Sequence, residues 1–244
     1  MEVRAADPTQ INLVTWNILL DKTRTKNGII KPQHKRVDSY AKALMELGMN
    51  LNVVMLQEAE GRNGQRIAEL SGYEPGYWKQ HKRKNEHIGT FGDMVEGAEF
   101  FAIGENRDAV VTRIGGVAIF GLHLSARPKR LFDRKREMER FCELVDQEEE
   151  AVVVGDYNGL WWEPARRMLA RRGFRSAFAQ INEKCPPTYP TEAYRDIMWT
   201  PRQQRMLPYQ VAIDDIQTRG VTVLGAGRFK GDSDHFGLHA TLAA

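Results

Sequence analysis

Short, continuous apolar runs alternate along the chain with segments of helical periodicity, and this alternation constrains the fold more than any other feature. The runs NVVMLQE (52–58) and AVVVGDYN (151–158) are rich in β-branched residues. Runs of this length and composition are typical of strands that are buried on both faces of a sheet. Residues 33–47 and 130–146 carry apolar side chains at the spacing of one helix face. The pattern predicts an α/β fold in which helices cover a buried sheet.

The remaining elements are located in the same way. Strand patterns occupy residues 11–18, 99–103, 108–114, 116–124, 211–218, 220–224 and 235–242, and further helices are predicted over 62–71 and from Pro164 to Gly173. Gly115-Gly116 is expected to form a hairpin turn. Residues 74–98 show no clear period, and residues 182–210 are proline-rich and loop-like except for a strand pattern at 195–199. Because the chain contains no repeat and no linker, we expect one domain spanning residues 1–244.

The composition is that of a soluble globular protein. Of the 244 residues, 42% are hydrophobic and 27% are charged, close to the average for such proteins. Cys142 and Cys185 are too few for a disulfide framework or a four-thiolate zinc site, which favours a reducing compartment. The opening MEVRAADPTQ has no apolar run after its charges, and no stretch approaches the roughly 18 apolar residues of a membrane span. We therefore expect a cytoplasmic protein without a transmembrane segment, and no protein partner is predicted.

Polar side chains that can bind a metal ion or a phosphate lie at the ends of several apolar strands. They are Asn17, Glu58, His123, Asp156, Asn158 and Asp214, together with Asp234 and His235 before the last strand. Because open sheets place their sites at the carboxyl ends of strands, these residues could converge on one pocket.

Each of these residues also has a structural explanation when it is considered alone. Asn17 could serve as a turn residue, Glu58 as a cap of the following helix, and His123 as a hydrogen-bonded histidine of the core. Residues 155–158 would suit a tight turn, and the charges at 214–215 would suit an edge strand. The joint pattern favours a functional site, because ending so many buried strands in carboxylates, amides and imidazoles brings no gain in packing.

The residue types restrict the chemistry of such a site. Carboxylate and amide oxygens without a Cys/His cluster favour a hard cation such as Mg²⁺ or Mn²⁺ over zinc. Histidines beside that cation suit a reaction that develops negative charge on oxygen and moves a proton near neutral pH. Hydrolysis of a phosphate ester meets both requirements. The sequence contains neither G-x-x-x-x-G-K-[ST] nor G-x-G-x-x-G, so a glycine-rich nucleotide-binding loop is not predicted.

The same residues lie in six motifs, VTWNI, VVMLQE, GLHLS, VVGDYNG, AIDDI and SDHFGL, which follow one another between about residues 11 and 242. In this order they resemble the successive motifs of the endonuclease/exonuclease/phosphatase superfamily, whose members include DNase I-like nucleases, sphingomyelinases, inositol polyphosphate 5-phosphatases and tyrosyl-DNA phosphodiesterases. GDYN and the terminal SDH are the most specific parts of the match. The resemblance implies a DNase I-like α/β fold, a four-layer α/β/β/α sandwich of two mixed β-sheets flanked by helices, with the site at one end.

The resemblance also implies a metal site. Glu58 would be the principal Mg²⁺ ligand, with Asn17 beside it and Asp234 next to the metal. Asp156 would orient or deprotonate the attacking water, or coordinate the metal.

The resemblance also implies a second set of residues, which would bind the phosphate. Asn158 would hold the phosphoryl oxygens, and His123 would stabilise charge on the phosphate. His235 would contact the scissile phosphate, with its ring oriented by Asp214.

The chain departs from the family pattern at three places. Family members have an aromatic or aliphatic residue after the aspartate that matches Asp214, whereas this chain has Asp215. Since neighbours on a strand point to opposite faces, one of the two can point into the site, and we predict Asp214. His123 stands where abasic-site endonucleases carry tyrosine, which argues against that branch. HIGTFGD (87–93) replaces the usual G-x-A-hydrophobic-x-S-R strand and is expected to shape the substrate pocket, which leaves the substrate class open.

These observations predict a Mg²⁺-dependent phosphoesterase that hydrolyses phosphodiester bonds. The formal net charge of +3 permits a phosphate-rich partner without requiring one. Nucleic acid is favoured as the substrate, because HKRK (81–84) precedes His123 and the basic residues Arg127, Lys129 and Arg130 follow it. Inositol phosphates and phospholipids are the alternative substrates. A silent family member that acts as a binding module, and a basic nucleic-acid-binding protein without catalysis, are the non-enzymatic alternatives.

Overall fold

The structure of the protein, a computed structural model, describes residues 10–19, 24–25, 28–29, 33–79, 87–105, 107–126, 131–160, 162–191 and 210–243. Strands and helices follow one another along these residues. The strands are β1 (Gln10–Asn17), β2 (Arg24–Thr25), β3 (Gly28–Ile29), β4 (Val53–Gln57), β5 (Tyr77–Lys79), β6 (Ile88–Phe91), β7 (Glu99–Gly104), β8 (Arg107–Ile114), β9 (Val117–His123), β10 (Ala151–Asp156), β11 (Arg175–Ser176), β12 (Asp214–Arg219), β13 (Thr222–Phe229) and β14 (Gly237–Ala243). The helices are α1 (Gln33–Met45), α2 (Gly61–Leu70), α3 (Leu131–Val145), α4 (Pro164–Ala170) and α5 (Ala177–Gln180).

Two six-stranded sheets form the centre of the fold. The first has the strand order β13-β14-β1-β4-β6-β5, and the second has the order β11-β12-β10-β9-β8-β7. In the first sheet β1 and β4 run parallel, and in the second β9 and β10 run parallel. The other neighbours are antiparallel, so both sheets are mixed. The short strands β2 and β3 form a two-stranded ribbon of their own.

The two sheets pack face to face, and the apolar side chains of their inner faces form one core. The first sheet contributes Leu13 of β1 and Met55 of β4, and the second contributes Ile119 of β9 and Val154 of β10. All four side chains are fully buried. Burying a side chain of this size stabilises the fold by about 1.5–3 kcal/mol relative to leaving it exposed.

Helices cover the outer face of each sheet. On the first sheet, Val37 and Tyr40 of α1 and Ile67 of α2 share an apolar cluster with Trp16 and Leu56. Helices α3 and α4 cover the second sheet in the same way. That outer cluster includes Met138, Phe141, Leu169, Phe120 and Val153. The four-layer α/β/β/α sandwich that the sequence predicts is therefore confirmed.

The largest difference from the sequence prediction lies in residues 74–98. This stretch, which shows no clear hydrophobic period, forms β5 and β6 at one edge of the first sheet. The indole of Trp78 covers Gly64 and Gly89, where an added Cβ would lie 2.2 and 2.0 Å from ring atoms. Gly89 of β6 weakens the strand pattern in the sequence, but the packing of the indole requires a glycine at this position.

Several element boundaries also differ from their prediction. Strand β12 begins at Asp214 instead of residue 211, because Val211 forms a bridge with Tyr189 of the preceding loop. Strand β13 continues to Phe229, beyond the predicted end at 224. The sequence does not predict this extension, because the half-exposed residues of the strand lack an apolar alternation. The strand pattern at 195–199 lies outside the described residues. Among the helices in the described part of the chain, none has both the length and the apolar character needed to cross a membrane.

Candidate active site

Strand alternation directs three candidate residues toward the space between the two sheets. In β10, Val152 and Val154 belong to the core between the sheets, and Asp156 is next in the same alternation. Asn17 continues the inner face of β1 in this way, and His123 continues that of β9. All three are buried and lie at the carboxyl ends of their strands. The site therefore lies at one end of the sandwich, where the apolar core between the sheets stops.

Asn17 joins the two sheets at this end. Its side-chain Nδ2 donates to Glu58 Oε1 at 3.2 Å and to Asp156 Oδ2 at 3.0 Å. Its Oδ1 accepts from the backbone N–H of Leu19 at 3.2 Å, which orients the amide so that Nδ2 faces the carboxylates. Carboxylate oxygens from different sheets thus approach one amide group.

Glu58 reaches the site through an unusual backbone conformation. The preceding Gln57 ends β4 with its amide Nε2 3.1 Å from Thr15 Oγ1. In a regular strand the next side chain would point to the opposite face, toward the helices. Glu58 instead has a φ of +56°, a left-handed conformation that costs a non-glycine residue about 1–2 kcal/mol. This turn brings its carboxylate to Asn17, and strain of this kind is common at functional sites.

Asp214, the first residue of β12, and His235, in the loop directly before β14, enter the site at the end where these strands begin. Asp214 stands opposite Asp156 in the antiparallel pairing of β10 and β12. His235 Nδ1 lies 2.9 Å from Asp214 Oδ2, and its Nε2 lies 3.9 Å from Asp156 Oδ2. The indole Nε1 of Trp16 donates to the carbonyl of His235 at 3.0 Å and holds this backbone in place. The imidazole is thus held between two carboxylates.

These groups shift one another's pKa values. Burial alone would lower the pKa of His235, but Asp214, with Asp234 and Asp156, raises it to about 10. Burial and the charge of Asp214 raise the pKa of Asp156 to about 7, although His235 opposes the rise. Near neutral pH, His235 therefore carries a positive charge and Asp156 lies close to its titration midpoint.

His123 faces the same group of carboxylates from β9. Its Nε2 lies 3.7 Å from Asp156 Oδ2 and 3.9 Å from Glu58 Oε1. Its Nδ1 lies 3.1 Å from Nη1 of Arg107, a buried residue at the start of β8. Arg107 is not predicted as a site residue from the sequence, because nothing in RDAVV distinguishes a buried arginine from an exposed one.

Asn158 contacts Asp156 directly. Its backbone N–H donates to Asp156 Oδ1 at 2.7 Å, and its Nδ2 donates to Asp156 Oδ2 at 3.0 Å and to the carbonyl of Leu124 at 2.9 Å.

The first position of the GDYN motif requires a glycine for steric reasons. Gly155 has a φ of +135°, and a Cβ at this position would lie 2.0 Å from the carbonyl oxygen of Leu122.

Asp234 and the loop before β14 border the site. Asp234 is buried, and its Oδ1 lies 3.4 Å from the hydroxyl of Ser233. That hydroxyl donates to the backbone carbonyl of Asn17 at 2.7 Å, which ties the loop to the end of β1. Asp234 also contributes to the raised pKa of His235, so its charge acts on the site.

The proline-rich loop before β12 supplies two contacts that the sequence does not predict. Thr188 Oγ1 accepts from the backbone N–H of Asp214 at 3.1 Å and positions the start of β12. The ring of Tyr189 lies 4.8 Å from that of His235, with the two planes inclined by 46°. Threonine and tyrosine in a loop-like segment carry no pattern that would have indicated these contacts.

The donor set fits a hard divalent cation. Carboxylate oxygens of Asp156 and Asp214 and a ring nitrogen of His235 lie within 4.8 Å of one another. The charged form of His235 has no free nitrogen for a metal ion, which leaves the carboxylates as ligands. Glu58 Oε1 lies beside this cluster, linked to Asp156 through the Nδ2 of Asn17, so carboxylate groups dominate. Such oxygen-rich sites suit Mg²⁺ or Mn²⁺ better than zinc. Burial, and then the charge of Asp214, raise the pKa of Asp156, and a bound cation would favour the ionised carboxylate.

Comparison with solved structures identifies the fold. A functionally unknown conserved protein from Enterococcus faecalis V583 matches with a TM-score of 0.74 and 13% identity, over 96% of this chain and 100% of that one. An endonuclease/exonuclease/phosphatase from Bacteroides vulgatus matches with a TM-score of 0.74 and 16% identity, over 96% and 98% of the two chains. D. rerio TDP2 complexed with a single strand DNA product matches with a TM-score of 0.71 and 16% identity, over 97% and 100%. The chain therefore has the DNase I-like fold of endonuclease/exonuclease/phosphatase proteins. No protein-family model and no curated protein matches its sequence.

Proposed function

We propose that the protein is a phosphoesterase that hydrolyses phosphodiester bonds with Mg²⁺ or Mn²⁺ as its cofactor. One observation carries this proposal: the His235–Asp214 pair faces Asp156 beside the Glu58–Asn17 contact. A buried, charged imidazole suits the binding of a phosphate, and a carboxylate with a pKa near 7 suits the activation of water. The likeness in fold to an endonuclease/exonuclease/phosphatase supports the same class of reaction.

Glu58 would hold the cation, with Asn17 beside it and Asp234 next to it. The cation would supply positive charge for the non-bridging phosphate oxygens and for the leaving oxygen. Asn17 would position the ligand, because its hydrogen bonds to Glu58 and Asp156 keep the two carboxylates at a defined separation.

Asp156 would orient the attacking water and take its proton. Its two oxygens are held by Asn158 at 2.7 and 3.0 Å, so the carboxylate is oriented before substrate arrives. A base whose pKa lies near the working pH combines a useful ionised fraction with a useful affinity for the proton.

His235 would bind the scissile phosphate through its Nε2–H. Asp214 accepts a hydrogen bond from Nδ1–H and keeps the ring both charged and oriented. His123 would donate to a phosphate oxygen from the other side of Asp156, and Asn158 would lie next to the same oxygens.

Nucleic acid is the substrate that we favour. TDP2 of D. rerio, which shares the fold, is described in complex with a single strand DNA product. The half-buried ring of Tyr189 beside His235 would offer an aromatic face for a base. The basic residues at 81–84 and at Arg127, Lys129 and Arg130 lie outside the described residues, so their place near the site stays a prediction.

Hydrolysis of a chromogenic phosphodiester by the purified protein tests the reaction class. We expect activity in Mg²⁺ or Mn²⁺ and its loss in excess EDTA, and the same preparation can then be offered DNA, RNA, inositol phosphates and sphingomyelin vesicles. Oligonucleotide cleavage that surpasses the cleavage of inositol phosphates and sphingomyelin would support the nucleic acid assignment. A folded protein that is inactive on every substrate in either metal would contradict the proposal and favour a silent binding module.

A further inference from the structure

We propose that Arg107 is a positioning residue that fixes the tautomer of His123, so that His123 presents its Nε2–H to the substrate as a neutral hydrogen-bond donor. The motifs that point to the site do not include Arg107. The tautomer is independent of the proposed function, whereas its catalytic consequence rests on that function.

The chemistry of the two side chains permits their contact in one arrangement. Nη1 of Arg107 lies 3.1 Å from Nδ1 of His123, and a guanidinium has five N–H donors and no acceptor. Nδ1 must therefore accept the hydrogen bond with its lone pair, and the ring hydrogen must be on Nε2. A hydrogen on Nδ1 would place two N–H groups against each other beside a positive charge.

Burial makes this contact costly to replace. Arg107 is 8% exposed and His123 is 4% exposed, so water has little access to either partner. Removing the partner of a buried donor or acceptor destabilises the folded protein by the full cost of desolvating that group. The resting protein therefore keeps the tautomer that Arg107 selects.

Glu137 of α3 lies close to the β7–β8 hairpin that carries Arg107. Gly104 pairs with Arg107 across the β7–β8 hairpin, and a Cβ at Gly104 would lie 3.1 Å from Glu137 Oε1 and 3.3 Å from Arg107 Cβ. The same carboxylate accepts from the backbone N–H and the hydroxyl of Ser125 at 2.9 and 2.6 Å. Glu137 thus packs close to the hairpin of Arg107 and stabilises the loop that directly follows His123.

The arrangement gives the two site histidines opposite partners at Nδ1. His235 has a carboxylate there, which holds a proton on Nδ1 and favours the charged ring. His123 has a guanidinium, which excludes a proton from Nδ1 and favours the neutral ring. His123 Nε2–H faces the space bordered by Asp156 Oδ2 and Glu58 Oε1, where a phosphate oxygen would accept it. His123 would then stabilise charge without exchanging a proton with the substrate.

Nitrogen NMR of the metal-free, 244-residue chain with labelled histidine tests the tautomer without any substrate. The chain has six histidines, so a spectrum of His123→Gln assigns the signals of His123. We expect a protonated Nε2 and an unprotonated Nδ1 in the parent protein and in Arg107→Lys, which keeps a cationic donor. In Arg107→Met the signals should move toward the Nδ1-protonated form.

Kinetics on a chromogenic phosphodiester then test the catalytic consequence. Arg107→Met should lower kcat by about 10–100-fold with little change in KM. Losses of this size are typical when a group that orients a metal-binding histidine is removed, and we expect a similar loss for His123. Arg107→Lys should recover part of that activity. Arg113→Met is the matched control, because Arg113 lies on the same strand, is half-exposed and pairs with Glu99 and Glu148; its kcat and its histidine signals should match the parent.

A proton on Nδ1 of His123 in the parent protein would overturn the inference, and that measurement requires no variant to fold. So would an unchanged tautomer in folded Arg107→Met, or an effect on KM alone. If the parent protein hydrolyses none of the substrates but shows the expected tautomer, the proposed function fails and the assignment of Arg107 as the residue that fixes the ring remains.

Discussion

The carboxylates of Asp214 and Asp215 lie on opposite faces of the same strand and have different partners. Asp214 Oδ2 is 2.9 Å from His235 Nδ1, in the space between the two sheets. Asp215 pairs with the buried guanidinium of Arg166 and accepts from Ser176 Oγ at 2.8 Å, on the side of α4. Of these two adjacent residues, Asp214 thus belongs to the candidate site, and Asp215 forms a structural ion pair in the outer layer.

This separation predicts opposite effects for two matched substitutions. Asp214→Asn should lower kcat by about 10²–10⁴-fold, while His235 can lose its proton and limit the cost to folding. Asp215→Asn should leave the activity of folded molecules nearly unchanged but lower the free energy of unfolding by about 3–5 kcal/mol, since Arg166 would stay buried without its carboxylate. Urea unfolding and kcat on a chromogenic phosphodiester measure both effects. The reverse pattern would make Asp215 the functional aspartate.

Strand alternation explains why much of the fold and of the site can be predicted from the sequence. Asp156 and His123 follow strands whose apolar residues already indicate which face is buried, so their convergence needs no knowledge of distant contacts. The same rule predicts that the side chain of Asp214 points between the sheets, because Ile216, two residues further along β12, is a core residue.

Contacts between remote segments are the part that the sequence does not predict. Arg107 binds His123 and Tyr189 packs against His235 because the sheets and loops bring them together, and neither residue belongs to a periodic pattern. The strands β5 and β6 escaped prediction for a related reason, since Gly89 is selected by the indole of Trp78 and not by local strand preference.

Asp214 and His235 should behave as one unit in catalysis. His235→Gln and Asp214→Asn each remove the charged, oriented imidazole, so each should lower kcat by about 10²–10⁴-fold. The double variant should then be impaired much less than the product of the two single effects, because the second substitution removes an interaction that is already gone. A double-mutant cycle on kcat measures the coupling. Strictly multiplicative effects would show that the two residues act independently.

Substitution of Glu58 should remove both activity and metal binding. Glu58→Gln keeps the size of the side chain but removes the charge, so several kcal/mol of transition-state stabilisation should disappear. The rise in Tm that Mg²⁺ produces in the parent protein by binding the folded state should also be absent. Glu60→Gln, an exposed position directly before α2, is the control and should keep both properties. Full activity of Glu58→Gln in Mg²⁺, or of the parent protein in excess EDTA, would contradict the metal assignment.

The stability of the metal-free protein should fall as the pH rises. The pKa of Asp156 is raised to about 7 and that of His235 to about 10, so both bind a proton more tightly in the folded state. The resulting stability is complete below the unfolded pKa and is lost through the folded pKa, between about pH 4 and 7 for Asp156 and about pH 6.5 and 10 for His235.

Asp156→Asn isolates the first of these two windows. Since the amide does not titrate, the fall in stability between about pH 4 and 7 should become smaller, whatever the absolute stability of the variant. Asp146→Asn, at a partly exposed ion pair with Arg172, should keep the parent's pH dependence. Urea unfolding in EDTA at several pH values provides the measurement. An unchanged slope in folded Asp156→Asn would show that Asp156 is not the titrating group.

Binding of a single-stranded oligonucleotide should weaken steeply with salt if nucleic acid is the substrate. Each phosphate that a cationic side chain neutralises releases counterions and adds about one unit to the slope of log K against log salt. Neutralising Lys129 and Arg130 together should therefore flatten the slope by about one unit for each phosphate that is no longer bound. Lys42 and Arg113 are the matched control pair, because both are exposed and neither lies at the carboxyl ends of the strands that carry the site. Salt-insensitive binding, or cleavage of sphingomyelin vesicles without cleavage of DNA or RNA, would move the assignment to lipid phosphodiesters.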